Sequence, residues 1–400
     1  MKIKLLPFIW KGNLVPLYLI VLIFITAIGT YFVIPFLAIY LTRSIHISPS
    51  LIGILFSINW VVSRGLMVFT GILSDKYGAK KFVILGLALI GTSYAGYTMA
   101  KDYILLIIVF VISGIGIALF QPASKSLLAV FTLPESRMAI FAWRNTGFNS
   151  GVALGSWLGA FLANYFSINK LFLVAAGIYL MMIILSIFLI PPEKVSFSQS
   201  VSFFKNLRIT FQHRELMILT ISSVGFWALF TQLNVTVPLA VHDLKMDMWI
   251  SWVFGINAVL TILLQIPLNH IAKQLGLSPQ QQMFYGLLLM GMSFLLIALL
   301  QLGLVFLLLF TICFTIGEIL VAPHFDTIAS LLADKQNVGT FLGVSSIGWA
   351  IGGGLGGIVG GSLLDFGRNI GINQLIWIVC MITAIISSIL FAKQPIVKTK

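Results

Sequence analysis

Apolar stretches of about twenty residues recur twelve times along this chain, at roughly 15–41, 50–74, 82–100, 104–131, 138–164, 171–190, 216–240, 250–271, 283–300, 304–331, 339–364 and 374–392. A helix rises about 1.5 Å per residue, so each stretch can cross a hydrocarbon core about 30 Å thick. Inside lipid the backbone must satisfy its own hydrogen bonds, which an α-helix does within one segment. The pattern predicts an all-α integral membrane protein of twelve transmembrane helices. Composition agrees: 59% of the 400 residues are hydrophobic and 9% are charged, against about a quarter charged in soluble domains. A net charge of +13 would suggest nucleic acid in a soluble chain. Here Lys and Arg collected on cytoplasmic loops account for it, and no nucleic-acid partner is expected.

The longest interruption, from Pro191 to Glu215, carries Lys194, Lys205, Arg208 and Arg214. It divides the chain into an N-terminal six-helix bundle (1–190), a central loop (191–215) and a C-terminal six-helix bundle (216–400). Seventeen Lys and Arg fall on the N-terminal side of the membrane, and five (Arg43, Lys101, Lys170, Lys245 and Arg368) on the other. By the positive-inside rule both termini and the central loop are cytoplasmic. The basic segment from Met1 to Pro16 runs into an apolar stretch longer than twenty residues with no A-x-A site, so a first span is expected rather than a removable signal.

The halves repeat. Shifted by 201 positions, Gly116, Pro122, Gly147, Gly151, Gly155 and Gly159 land on Gly317, Pro323, Gly348, Gly352, Gly356 and Gly360. Six matches in one register, a proline among them, predict two pseudo-symmetric bundles. The glycines of span five recur every fourth residue on one face, which lets two helix backbones approach closely.

At the end of the second span lies Gly71-Ile72-Leu73-Ser74-Asp75-Lys76-Tyr77-Gly78-Ala79-Lys80. This run resembles the signature G-x-L-a-D-r-x-G-r-k of the major facilitator superfamily, departing at Ala79, where a basic residue is usual. The resemblance implies the major facilitator fold. It also implies a gate at Gly71, Asp75, Gly78 and Lys80, with the carboxylate near the N-terminus of the eleventh helix, closing the cytoplasmic side. An ordinary polar loop with solvated charges is the plainer alternative. In the second half the matching loop keeps Gly276 but has Lys273 in place of the acid.

Gly116 to Ser126, Met138 to Leu158 and Gly339 to Gly367 resemble the MdtH-type branch of drug:proton antiporters, and the similarity extends to Leu363-Leu364-Asp365-Phe366-Gly367. Two departures stand out: Val152 replaces the proline usual in that branch's fifth-span motif, and Phe110 stands where its fourth-span arginine would be. The resemblance implies multidrug efflux by alternating access across the inner membrane. Gly147, Gly151 and Gly155 would belong to the moving parts, and the chain would work as a monomer. Its expected partners are a small-molecule substrate, protons and bilayer lipid. The alternative is a dedicated exporter or importer of one metabolite, such as a siderophore or other organic anion.

Ionisable groups at membrane depth each cost about 2.5–3.5 kcal/mol on insertion scales. Three stand out: Arg64, Arg144 and Glu318. A carboxyl group shielded from water can exchange protons in the working range, which makes Glu318 the first proton-coupling candidate, followed by Asp326 and His324. A structural acid held by neighbouring helices is the alternative. Arg64 reads equally as counter-ion, substrate anchor or structural cation. Lys125 and Asp326 are equivalent under the repeat and opposite in sign, so they form either an inner-gate bridge or two separate interfacial charges.

Aromatic and polar groups in the spans complete the expected substrate chamber: Tyr31, Trp60, Arg64, Trp143, Arg144, Asn145, Asn149, Phe226, Trp227, Gln232, Asn234, Asn257 and Trp349. Aromatic faces suit lipophilic or cationic compounds, and packing or lipid contact is the competing role for each. No cofactor or metal is expected. Cys313 and Cys380 sit in apolar runs, no histidine pair has ligand spacing, and no G-x-x-x-x-G-K-[ST] loop supports ATP-driven transport. No nucleophile or metal cluster supports an enzyme.

Overall fold

The computed structural model describes residues 14–133, 136–192, 210–333 and 338–392. The basic N-terminal residues, Lys194, Lys205 and Arg208 of the central loop, Lys335 and the basic C-terminal tail lie outside them. The described residues are all-helical, with no strand. The helices are α1 (Val15–Tyr31), α2 (Ile34–Ser44), α3 (Pro49–Tyr77), α4 (Ala79–Met99), α5 (Tyr103–Val130), α6 (Arg137–Ala163) and α7 (Ile168–Leu189). They continue as α8 (Arg214–Gln232), α9 (Thr236–Asp243), α10 (Met248–Gln274), α11 (Pro279–Ala298), α12 (Leu304–Leu332), α13 (Val338–Ile370) and α14 (Leu375–Ala392).

Each expected span has a counterpart. Among the described residues, eleven stretches are long and apolar enough to cross a membrane. The remaining one, expected at 138–164, is the 27-residue α6, made less apolar by Arg144, Asn145 and Asn149. Spans one and seven are corrected from single helices to broken pairs, α1–α2 and α8–α9. Pro35 and Pro238 explain the breaks. A proline ring donates no backbone hydrogen bond and clashes with the carbonyl four residues earlier. Those positions are Tyr31, the last residue of α1, and Asn234, inside the second break. Elsewhere side chains start the helices: Asp102 accepts from Leu105 N–H at 2.8 Å, and Ser278 and Gln281 form a reciprocal capping box.

The chain groups into two compact units, Met1–Ile34 with Phe69–Ser198, and Pro35–Val68 with Gln199–Lys400. In the first unit, the ladder of α6 packs on α1. An added Cβ at Gly147, Gly151, Gly155 or Gly159 would meet Ile20, Phe24, Ile28 or Phe32 respectively. In the second unit, Gly348, Gly352, Gly356 and Gly360 of α13 meet Thr220, Val224, Ala228 and Gln232 of α8. The repeat read in the sequence is thus one packing solution used twice. Gly86 with Gly116, and Gly286 with Gly317, do the same for α4–α5 and α11–α12.

α13 carries a second row that no counterpart in α6 reproduces. Gly353, Gly357 and Gly361 face α3, where Cβ atoms would collide with Trp60, with Gly53 and Ser57, and with Pro49. The Ser57 hydroxyl lies 2.6 Å from the Gly354 carbonyl across this seam. That close approach groups residues 35–68 with the second half of the chain, although the sequence division at 191–215 assigns them to the first. Bulky apolar side chains such as Phe188 (80% exposed) and Ile266 (79% exposed) cover the exterior, a surface suited to lipid rather than water.

Candidate substrate and coupling site

Trp349 of α13 lies between two helices because glycines flank it. An added Cβ at Gly352 would meet Trp227 of α8, and one at Gly353 would meet the Trp60 ring of α3. The Trp349 and Trp227 rings stack at 3.8 Å between centroids and 10° between planes. Trp60 lies 5.6 Å from Trp349. Arg64, one helical turn along α3 from Trp60, places its guanidinium carbon 3.3 Å from the Trp349 centroid and 5.3 Å from that of Trp60. Its Nη1 also donates to the Met67 sulfur at 3.5 Å. Phe226 and Phe325 support Trp227 at 4.8 and 5.9 Å.

Arg64 is only 8% exposed. A desolvated cation–π contact contributes about 2 kcal/mol or more, against the insertion cost of about 2.5–3.5 kcal/mol. The stack therefore offsets most of the cost of placing this charge in a span. The Trp349 indole N–H is buried and has no hydrogen-bond partner.

Glu318 is the second focus. It lies near the middle of α12, and Asn257 of α10 donates to its Oε2 at 2.8 Å. The same amide donates to the Thr315 hydroxyl oxygen at 3.0 Å. Thr315 in turn donates to the Thr311 carbonyl at 2.6 Å. Both Asn257 amide hydrogens are thereby committed, one of them to the carboxyl group.

The other expected chamber residues separate by role. Phe226 is fully buried, a support for Trp227. Gln232 spans the break between α8 and α9. Its amide donates to the Ala228 and Gly356 carbonyls, both at 2.8 Å, and its oxygen accepts from Thr236 at 3.0 Å. Asn234 is buried in that break. His324 is half-buried on α12, its Nδ1 enclosed without a hydrogen-bond partner, and Asp326 is exposed.

In the first unit, Tyr31 meets Phe148 edge-on at 6.0 Å. Arg144 donates to the Asn145 side-chain oxygen at 3.1 Å, and Asn149 donates to the Asn145 carbonyl at 3.2 Å. Trp143 and Lys125 are exposed. Of the signature run, Gly71 faces Pro122, and Gly78 adopts φ 99°, the left-handed turn that favours glycine, mirrored by Gly276 at φ 70°. Lys80 reaches the Ile187 carbonyl at 2.8 Å near the end of α7, where the helix dipole favours a cation. The Asp75 side chain lies outside the described residues. The described residues contain no group of three His, Cys, Asp or Glu able to hold a metal.

Sequence reasoning passed over the polar ties at one end of α13. Ser50 at the start of α3 donates to Asp365 at 2.6 Å. Arg368 grips Asp243 of α9 through two nitrogens, at 2.7 to 3.2 Å. Asp365 lay within the closing run of the sequence but drew no role, because its partner is 315 residues away.

A family model described as Major Facilitator Superfamily matches residues 19–357. The chain is 24% identical over 370 residues to "Multidrug resistance protein MdtH" of Yersinia enterocolitica, covering 91% of this chain and 90% of that one. The protein of the same name from Yersinia pestis (strain Pestoides F) is 25% identical over 364 residues, with the same coverage. Among solved structures, the nucleoside transporter NupG superposes with a TM-score of 0.77 at 15% identity, covering 96% of this chain and all of that one (100%). A POT family transporter in complex with 5-aminolevulinic acid gives 0.78 at 16% identity, with 96% of each chain covered. At that identity the likeness is one of fold.

Proposed function

The chain belongs to the Major Facilitator Superfamily, and on that premise we propose that it exports amphipathic aromatic compounds across the inner membrane in exchange for protons. It is a multi-pass membrane transporter, not an enzyme. In this reading the six-helix halves 1–190 and 216–400 alternate access to the substrate, both termini face the cytoplasm, and the chain works as a monomer.

The observation that carries the proposal is Glu318, a carboxyl group in the middle of a span, held by one neutral amide. Such a group can take up and release a proton where a paired carboxylate would stay ionised. The tryptophan column of α3, α8 and α13 supplies apolar, π-rich surface for an aromatic substrate. The relatives named for multidrug resistance are consistent with drug-like substrates.

Everted membrane vesicles test it. An imposed pH gradient, acid inside, should drive accumulation of a radiolabelled aromatic drug, and a protonophore should abolish it. Accumulation that ignores the gradient would rule out proton exchange. A second reading, transport of one dedicated organic anion, is favoured by the two arginines Arg64 and Arg144 within spans.

A further inference from the structure

We propose that Arg64 and the Trp349 indole N–H form a carboxylate-binding subsite, so that the favoured substrates are aromatic compounds carrying an anionic oxygen group. The inference rests on the transport reading and narrows its substrate class. All the residues involved belong to the second unit.

Two independent observations meet at one ring. The guanidinium carbon of Arg64 lies 3.3 Å from the centre of the Trp349 ring, which brings a planar, permanently charged donor group beside that ring. The indole N–H of the same residue is enclosed, with no acceptor to receive it. A buried donor without a partner costs about 1–3 kcal/mol, and an oxygen beside the ring edge would remove that cost while facing the guanidinium. Both groups are donors, and one is permanently charged, so the complementary ligand group is an oxyanion. The neighbouring Trp60 and Trp227 then offer apolar surface to the ring that bears it.

The same geometry disfavours the common lipophilic cations. One face of Trp349 is taken by Trp227 at 3.8 Å and the other by a resident cation. A second cation would have to displace Arg64 and bear its repulsion at close range in a low-dielectric site. Arg64 is thus a specificity-determining residue as well as a binding one.

The test is equilibrium dialysis of the purified full-length protein with three radiolabelled probes that share one ring system: 2-naphthoate, 2-naphthamide and 2-naphthylmethylammonium. The carboxylate should bind about tenfold or more tightly than the amide, as expected for a charge-assisted hydrogen-bond pair, and the cation should bind weakest. Trp349→Phe keeps an aromatic face but removes the N–H, and Arg64→Lys keeps the charge but removes the planar fork. Each should erase most of the preference for the carboxylate over the amide, and a melting temperature close to that of wild type reports that the variant is folded. Equal binding of carboxylate and amide, tightest binding of the cation, a preference that survives both substitutions, or no binding of any probe overturns the subsite. The vesicle assay, run with uncharged aromatic drugs, reports on the transport reading separately, so either can fail alone.

Discussion

Asn257 donates one amide hydrogen to Glu318 at 2.8 Å and the other to Thr315 at 3.0 Å, tying α10 to α12 at the level of an acidic side chain midway along α12. The tie is polar on every side. Its loss therefore has a cost that an apolar contact would lack.

Asn257→Leu leaves Glu318 and Thr315 without their shared donor. Each buried polar group so stranded costs about 1–3 kcal/mol, and thermal unfolding in detergent should register the loss. Glu318→Gln keeps an acceptor oxygen for Asn257 and should unfold close to wild type. Equal stability of Asn257→Leu and wild type would mean that the tie is not made in the protein.

Glycine substitutions should sort by what a Cβ would meet. At Gly151 it would strike the Phe24 carbonyl and Ala27, and at Gly352 the Val224 carbonyl and Trp227. Gly151→Ala and Gly352→Ala should each cost about 1–3 kcal/mol, as overpacked cores do. Gly177 in α7 has nothing within 4 Å, so Gly177→Ala should gain up to about 1 kcal/mol from helix propensity. Melting temperatures of the three variants settle the point, and a uniform response would refute the close-packed ladder.

The ion pair of Arg368 with Asp243 has favourable two-nitrogen geometry, but its side chains are 25% and 47% exposed. Exposed pairs contribute about 0–1 kcal/mol. Arg368→Ala should therefore lower stability only slightly, and the difference should shrink as salt is raised. A loss of several kcal/mol would show that the pair is a structural pin rather than a surface contact.

The spans and the internal repeat were legible because apolar length and glycine spacing are local signals. Gly147 to Gly159 announced close packing, and α1 is the helix they meet. The row Gly353, Gly357 and Gly361 has the same spacing and was equally readable. The 201-residue repeat does not mark it, because Val152, Ser156 and Ala160 stand at the equivalent positions of α6. Pro35 and Pro238 likewise signalled the breaks in spans one and seven. Partners were another matter. Arg64 and Glu318 stand out in apolar runs, yet Trp349 and Asn257 lie 285 and 61 residues away, and only packing brings them together. Gln232 looked like a chamber residue because polar atoms in a span are rare. The structure commits its amide to the backbone of two helices.

The central claim is proton-coupled transport through Glu318, and proteoliposomes with a pH dye sealed inside test it most directly. Wild type should move protons only when an aromatic substrate is added under an imposed gradient, and Glu318→Gln should bind substrate but move none. Substrate transport without proton movement, or proton movement undiminished by Glu318→Gln, would contradict the account.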